Sequence, residues 1–235
     1  MQIIQTLTTC ALLGLRVRSP RMMASLTDSP AWPEISGLLD ALPVFTIANE
    51  DEKPLQYQVD GRPMAMFYAD VLAAKSQLEA ARDQQPDLNC DVIPVGLGAA
   101  YTLSCEGKAS LVPGMTELTA AGMPAGLPAV GQELPLFACM EMTRETEEGE
   151  TVLPLFMSYE DCEAAVSEAR EAADSQTDLN IVGLSLPSVI EHLSSSESKP
   201  TFTFLPPTRS TDHIRSYVGT VDGKAVYARV VDEDS

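Results

Sequence analysis

Hydrophobic and polar positions follow the same order twice along this chain. The apolar motif at residues 42–45 (LPVF) recurs at residues 134–137 (LPLF), and the Asp-Leu-Asn motif at residues 87–89 recurs at residues 178–180. An aliphatic run that predicts a strand follows each Asp-Leu-Asn motif. The separation between matching positions stays at about ninety residues. Chance matches would not keep both the order and the spacing, so the sequence predicts an internal duplication.

Each repeat has the pattern of a β-hairpin, a helix, a strand and a closing helix. Asp60-Gly61 lies between two apolar runs and predicts a tight turn in the first repeat, and the polar residues 145–149 predict the matching turn in the second. Ser158 and Asp161 fit a capping-box pattern at the start of the second long helix. The apolar face of each long helix is rich in alanine, which lets the helix lie close to a sheet. These faces comprise Val71, Ala74, Leu78 and Ala81 in the first repeat, and Cys162, Ala165, Val166, Ala169 and Ala173 in the second.

These elements predict a mixed α/β (α+β) fold. Two tandem β-hairpin–helix–strand–helix repeats are expected to pack with pseudo-two-fold symmetry. The first repeat unit spans residues 42–118 and the second spans residues 134–218, with a linker rich in Gly and Pro at residues 119–133. In each unit we expect the first and third strands to lie side by side after a right-handed helical crossover.

Two terminal segments lie outside the repeats. Residues 1–26 contain three arginines, several hydroxyl side chains and no acid, which is typical of an organelle-targeting segment. The alternative is an ordinary N-terminal helix that packs on the body, and the composition does not separate a plastid from a mitochondrial address. Residues 219–235 predict a C-terminal hairpin around Asp222-Gly223, followed by an acidic tail.

The balance of charge narrows the classes of partner. Asp and Glu number 34 against 15 Lys and Arg, which gives a formal net charge of -19 at pH 7. Such a surface repels nucleic-acid phosphates and anionic lipid headgroups, and it attracts cationic partners such as basic presequences. Its simplest effect is to keep the protein dispersed. No segment of the sequence is long and apolar enough to cross a membrane. We therefore expect protein partners, no nucleic acid and no direct membrane span.

The cysteines do not form a recognisable framework. Cys10, Cys90, Cys105, Cys139 and Cys162 contain no C-x-x-C pair, and their number is odd. This argues against a zinc ribbon and against a full set of disulfides. Cysteines in apolar runs are commonly small buried hydrophobes. Pairing of Cys90 with Cys105, or of Cys105 with Cys139, stays open at this point.

Motifs of the common catalytic and cofactor sites are missing. The sequence contains no nucleophile elbow, no phosphate-binding loop and no complete dinucleotide-binding glycine motif, although Gly96-Leu97-Gly98 matches part of one. Cys162 and His192 could form a nucleophile pair only if the fold brought them together, and Cys162 lies on the apolar stripe of its helix. We expect no enzyme, no cofactor, and no catalytic, cofactor-binding or metal-binding residues.

Two stretches of the sequence carry a family resemblance. Residues 44–49 (VFTIAN) and residues 153–161 (LPLFMSYED) resemble the opening strand and the second hairpin-to-helix junction of the Tic chaperone-type family, built around the twenty-two-kilodalton subunit of the chloroplast inner-envelope import machinery. The resemblance implies a soluble protein between the plastid envelope membranes, or in a bacterial periplasm. Such a protein is thought to grip extended apolar segments of precursors in grooves between its two halves.

The repeated phenylalanines have two interpretations. Phe45, Phe67, Phe137 and Phe156 occupy matching places in the two repeats, where they could line a client groove or fill the core. The core interpretation is the more common one for large apolar side chains in strands. The protein-binding residues are therefore left unassigned.

The resemblance predicts a non-enzymatic import chaperone that escorts precursors. The location it implies is the plastid, with the protein soluble or peripheral to a membrane, and the mitochondrion is the second choice. The alternative function is an accessory structural subunit of a large photosynthetic or respiratory membrane complex, because a Pro-rich linker and extra tails can become ordered on a partner. A thiol enzyme is a third and weaker hypothesis.

Overall fold

The computed structural model describes residues 26–59, 61–145, 149, 151–172, 178–195 and 202–218. The predicted targeting segment, apart from Leu26, and the predicted C-terminal hairpin and acidic tail lie outside the described residues. So do Asp60 and most of the turn predicted at residues 145–149. The elements of the described part, in chain order, are α1 (Trp32–Leu39), β1 (Pro43–Asn49), β2 (Gln56–Val59), β3 (Arg62–Tyr68), α2 (Val71–Gln84), β4 (Cys90–Gly96), α3 (Leu97–Cys105), β5 (Ala109–Val112), α4 (Met115–Ala120), β6 (Pro135–Cys139), β7 (Arg144–Glu145), β8 (Thr151–Phe156), α5 (Tyr159–Ala172), β9 (Ile181–Ser185), α6 (Leu186–Ser195), β10 (Phe202–Leu205) and α7 (Thr208–Val218).

The strands form two sheets with the same pairing pattern. In the first sheet β1 lies between β3 and β4, and both β2 and β5 pair with β3. In the second sheet β6 lies between β8 and β9, and both β7 and β10 pair with β8. The last strand of each sheet, β5 or β10, runs parallel to its neighbour, and the other pairs are antiparallel. This arrangement confirms the mixed α+β prediction. Each sheet has five strands in the described part of the chain, whereas a hairpin and one further strand predicted three, and each unit has one helix beyond its closing helix.

One part of the predicted topology needs correction. The first strand of each unit does lie beside the strand that follows the long helix, but both of these pairs are antiparallel. The handedness rule for crossovers applies to parallel strands only, so it does not apply to them. The parallel neighbours are instead β3 with β5 and β8 with β10.

Each unit contains the same backbone hydrogen bond at a corresponding position. The amide of Leu97 donates to the carbonyl of Leu42 at 2.9 Å, and the amide of Leu186 donates to the carbonyl of Leu134 at 2.8 Å. Each bond fixes the entry of a closing helix against the start of the first strand. The two units therefore share local geometry as well as strand order, whereas their pseudo-two-fold packing stays a prediction.

The inner faces of both sheets share one core. Helix α1, which the sequence pattern did not predict, contributes Trp32 to this core, where its ring lies 5.5 Å from the ring of Tyr101 in α3. The second unit contributes mainly strands β6 and β8 together with helix α6. Because apolar side chains of both units pack in the same cluster, neither sheet can bury its inner face alone.

The outer face of each sheet has a separate apolar cluster. Each cluster includes a residue that follows the other sheet in the sequence. Ile214 of α7 follows the second sheet in sequence, yet it packs in the cluster of Phe45, Met66 and Val71 on the first sheet. Ala121, at the end of α4, follows the first sheet and packs against the cluster of Phe137 on the second. Each sheet is thus partly covered by a segment that the chain supplies after the other sheet.

The connection between the units turns at glycines. Helix α4 ends at Ala120, and Gly122, Gly126 and Gly131 then adopt φ values of 88, 87 and 85°. Left-handed backbone of this kind strongly favours glycine, which explains why the sequence of this connection is rich in that residue. Among the described helices, none is both long and apolar enough to cross a membrane.

Replacement of Ile214 by alanine tests the contribution of α7 to the first unit. The side chain is 3% exposed, and truncation of a buried isoleucine costs about 2–4 kcal/mol of unfolding free energy. We expect that loss in urea unfolding followed by circular dichroism. Arg215→Ala changes the exposed neighbour and should shift the unfolding free energy by less than about 0.5 kcal/mol. Equal stability of the two variants would contradict the described packing of α7.

Candidate functional site

A cleft lies where the ends of the two sheets meet. In both units one further backbone hydrogen bond extends the pairing of the parallel strands beyond their ends. The Ala69 amide donates to the Val112 carbonyl at 2.9 Å, and the Met157 amide donates to the Leu205 carbonyl at 3.1 Å. These bonds place the starts of α2, α4 and α7 around one cleft. Its lining residues are Ala69, Asp70, Pro113, Gly114, Glu117, Leu134, Pro135, Met157, Pro207 and Arg209.

Arg209 connects two carboxylates across the cleft. Its Nη2 atom donates a hydrogen bond to Oε1 of Glu117 at 2.9 Å, and its Nε atom lies 3.2 Å from Oδ1 of Asp70. The same Asp70 oxygen accepts the backbone N–H of Leu72 at 3.0 Å, which caps α2. We call Asp70, Glu117 and Arg209 the junction triad, because they come from α4 and the starts of α2 and α7.

Glu117 is the most buried member of the junction triad. It is 5% exposed, and its Oε2 atom is buried with no hydrogen-bond partner among the described residues. A Cβ atom added to Gly114 would lie 2.1 Å from this oxygen, so Oε2 occupies the space that a side chain would take. Burial raises the pKa of the Glu117 carboxyl, and the charge of Asp70 adds to that rise. A hydrogen bond from its own backbone N–H and the positive charge of Arg209 oppose that rise.

Helix α7 is fixed at its start by the second unit. Oδ2 of Asp161 accepts the backbone N–H of Thr208 at 2.8 Å, which satisfies one of the unpaired donors at a helix N-terminus. The amide of Asp161 in turn donates to Oγ of Ser158 at 3.2 Å, so the predicted capping role of Ser158 is confirmed. The Asp161 side chain therefore holds the helix that carries Arg209.

Two exposed apolar side chains stand beside the cleft. Leu72 is 56% exposed and Met115 is 49% exposed, the largest values among the large apolar residues of the described part. Leu72 follows Asp70 by two positions, and Met115 follows Gly114 directly. A Cβ atom added to Gly114 would lie 3.4 Å from Cβ of Asp70, so the two helix starts are in contact. The cleft thus combines charge with exposed apolar surface.

The fold does not bring the hypothetical thiol nucleophile and its base together. Cys162 is fully buried in the outer cluster of the second sheet, whereas the ring of His192 lies 5.6 Å from the ring of Phe202, which belongs to the core between the sheets. Burial raises the pKa of the Cys162 thiol to about 12 and that of Cys105 to about 11. Thiols with such pKa values are almost entirely protonated at neutral pH and react slowly.

Other candidate residues from the sequence lie mainly in the core. Phe45, Phe67 and Phe137 are at most 1% exposed, in agreement with the core interpretation, and Phe156 is half-buried. Within the described residues, Cys90, Cys105, Cys139 and Cys162 are free thiols. The same part of the chain contains no group of three or more metal-ligating side chains.

The junction triad was not predicted from the sequence. Arg209 lies 92 positions from Glu117, and neither residue belongs to a motif. The available signal was weak: Asp70 directly precedes a helical pattern, as N-cap residues do. Nothing in the local sequence indicates that α7 crosses to the first unit, so the pairing could not be predicted.

Comparisons with known proteins agree with this fold. The model of the Tic22-like family matches residues 17–216. The structure of Tic22 from Plasmodium falciparum is similar with a TM-score of 0.66 and 21% identity, covering 79% of this chain and 98% of that one. The structure titled Anabaena Tic22 (protein transport) has a TM-score of 0.62 and 18% identity, covering 79% and 96%. Among the curated proteins no sequence matches significantly. The family resemblance found in the sequence is confirmed.

The buried thiols give a direct test of the described core. In a Cys10→Ser background, the four remaining cysteines should react with a thiol reagent at pH 8 on the order of 100-fold more slowly in the native protein than in urea. Burial and the raised thiol pKa both favour this result. Absorbance of the released reagent group measures the rate. Rapid modification of native Cys162, located by mass spectrometry, would contradict its placement.

Replacement of Arg209 by methionine tests the electrostatics of the junction triad. Without Arg209 the pKa of the Glu117 carboxyl should rise further, because burial and the Asp70 charge raise it and only the hydrogen bond from its own backbone N–H still opposes them. A carboxyl with a raised folded-state pKa binds its proton more tightly in the folded protein than in the unfolded chain. Its ionised form therefore lowers the free energy of unfolding, and this loss develops as pH rises through the folded-state pKa. We expect a loss of about 2–3 kcal/mol at pH 8 and a smaller loss at pH 5.

Urea unfolding at both pH values measures this difference. Arg215→Met is the matched control, because Arg215 is 70% exposed and its contact with Asp212 lies on the surface. The control should behave alike at both pH values. A pH-independent loss for Arg209→Met would mean that Glu117 does not titrate in this range.

Proposed function

Because the chain belongs to the Tic22-like family, we propose that it is a protein-binding factor of plastid protein import without catalytic chemistry. In this proposal it escorts precursors between the envelope membranes. The family match carries the proposal, since residues 17–216 include both sheets, the junction triad and the cleft. A role related to that of other family members follows from this match. The escort of precursors is the further step that we propose.

The surface chemistry supports a partner that is both cationic and apolar. The formal net charge of -19 attracts basic segments over long range. The exposed side chains of Leu72 and Met115 offer apolar contact next to the cleft. Extended precursor segments combine basic and apolar residues before they fold, so they suit such a surface.

The other hypotheses receive less support. No finding favours a structural subunit of a photosynthetic or respiratory complex, although its characteristic tails would lie outside the described residues. The separation of Cys162 from His192 removes the geometric basis of the thiol-enzyme hypothesis that named this pair. The plastid location is part of our proposal, and nothing in the comparisons supports the mitochondrial alternative.

A binding assay with a labelled precursor tests this function. The full chain is titrated against a fluorescent unfolded precursor, and anisotropy measures the dissociation constant. The double variant Leu72→Gln, Met115→Gln should weaken binding roughly tenfold, because burying two partly exposed apolar side chains is worth about 1–2 kcal/mol. Raising the salt concentration should also weaken binding if charge contributes.

The connection between the units supplies the matched control. Leu127 and Val130 are 45% and 41% exposed, which is similar to the exposure of the tested pair. The variant Leu127→Gln, Val130→Gln should bind the precursor like the original chain. Absence of precursor binding by the original chain would remove the proposed function. Equal weakening by both variants would show that the contact is not centred on the cleft.

A further inference from the structure

Strand β9 forms one edge of the second sheet. Among the described residues it pairs only with β6, in an antiparallel ladder. The amide of Leu186 donates to the carbonyl of Leu134 just beyond the last pair of this ladder. Inward and outward backbone groups alternate along an antiparallel strand, so this bond fixes their order. The N–H and C=O groups of Ile181, Gly183 and Ser185 therefore point away from β6, and we call them the β9 edge.

The corresponding edge strand of the first sheet has a proline at its centre. Strand β4 pairs with β1 in the register in which β9 pairs with β6, so that Pro94 faces Phe45 and Gly183 faces Phe137. Proline has no N–H group and is common on edge strands, where it prevents pairing with a further strand. The first sheet is therefore blocked at the position where the second sheet has the N–H group of Gly183.

A second outward amide differs between the two edges in the same way. In β4 the amide of Val92 donates to Oδ1 of Asp91 at 2.8 Å. Ile181 occupies the matching position in β9, and within the described part of the chain neither its amide nor that of Gly183 has an acceptor. Proteins usually block edge strands because unpaired backbone groups bind other chains. The two units share a fold, and the second lacks the two blocking devices of the first.

We propose that the β9 edge binds an extended segment of a partner protein, which adds one strand to the second sheet. The main chain of the partner exchanges hydrogen bonds with Ile181 and Gly183, so recognition depends on the partner's backbone more than on its sequence. This inference rests on the proposed function, since a factor that escorts many precursors needs a contact that all of them can make. It assigns a binding site to β9, which no sequence motif indicated.

Charge and size favour a basic extended segment over a second copy of this chain. Two chains that each carry a formal net charge of -19 repel each other, whereas a basic segment is attracted. Strand β9 has five residues. Pairing of two such short strands buries much less than the roughly 1,200 Å² that stable protein interfaces need. A segment that continues onto neighbouring surface is the better complement.

Helix α4 connects the β9 edge with the exposed apolar side chains beside the cleft. A Cβ atom added to Gly183 would lie 3.8 Å from both Cα and Cβ of Ala121, the residue that follows α4. The helix begins at Met115, which is 49% exposed, and its six residues span about 9 Å. An extended chain covers that length with about three residues. One continuous segment can therefore contact both the β9 edge and Met115.

Hydrogen exchange of the ¹⁵N-labelled full chain tests the β9 edge first. In the unliganded chain the amide of Gly183 should exchange on the order of 100-fold faster than those of Val182 and Leu184, which point toward β6. Saturation with acetyl-Lys-Thr-Val-Thr-Lys-amide should then slow exchange at Ile181 and Gly183 at least about tenfold. Slow exchange at Gly183 before the peptide is added would overturn the inference, because another segment of this chain or a second copy would already occupy the edge.

An N-methylated form of the same peptide is the matched control ligand. Methyl groups on the backbone nitrogens of its third and fourth residues leave the side chains and the charge unchanged. One of these two neighbouring nitrogens faces β9 in either register, so the affinity should fall at least about tenfold. Equal affinity of the two peptides would contradict main-chain pairing.

Two variants at Gly183 locate the contact. Gly183→Pro copies the proline of the first sheet and removes the outward amide, so it should bind the unmethylated peptide at least about tenfold more weakly. Gly183→Ala keeps the amide, and its Cβ atom would lie at an ordinary contact distance from Ala121. It should bind the peptide like the original chain. Circular dichroism shows whether each variant is folded, and the N-methylated peptide decides the inference if Gly183→Pro is not.

The outcomes separate this inference from the proposed function. If Gly183→Pro is folded and binds both the short peptide and the unfolded precursor as the original chain does, the proposed function stands and the β9 site is lost. If the original chain binds the short peptide at Gly183 but binds no precursor, the β9 site stands and the proposed function is lost.

Discussion

The structure depends on apolar side chains that each unit provides for the other. Ile214 follows the second sheet and fills the outer cluster of the first, and Ala121 follows the first sheet and packs on the second. The inner faces share a third cluster, to which both units contribute. A sheet separated from its partner would expose apolar surface on both faces, which is unfavourable in water. The two units therefore stabilise each other and form one folded body.

The junction triad lies where α4 and α7 begin. Its charges determine the positions of these helices more than they increase the net stability of the protein. Removing Arg209, Glu117 and Asp70 from water costs free energy that their mutual attraction only partly returns. An arrangement that separated them would leave Glu117 buried without an opposite charge, and that arrangement would be strongly disfavoured. The capping of α7 by Asp161 adds a second fixed point nearby. Together these contacts determine where α7 crosses to the first unit.

The sequence predicts the parts of this fold that depend on local pattern. The repeated LPVF and LPLF motifs mark β1 and β6, and the alanine-rich stripes mark α2 and α5, because periodicity reflects which face of an element is buried. The same rules do not show which sheet a face packs on. Ile214 gives an amphipathic pattern to α7 wherever that helix lies. The packing of α7 on the first sheet, and the contact of Arg209 with Glu117, depend on residues that are distant in the sequence. A single sequence therefore does not reveal them.

This architecture links folding to partner binding. The cleft has walls from both units, so it exists only when α4 and α7 begin side by side at the junction. Any ligand that binds the assembled cleft and not the unfolded chain must stabilise the assembly by mass action. The same reasoning applies in reverse, because changes that loosen the outer cluster around Ile214 would also displace Arg209 and lower affinity at the cleft. The residue that completes the core of the first unit and the residue that crosses the cleft lie on one short helix, and this makes α7 the element through which stability and recognition are coupled.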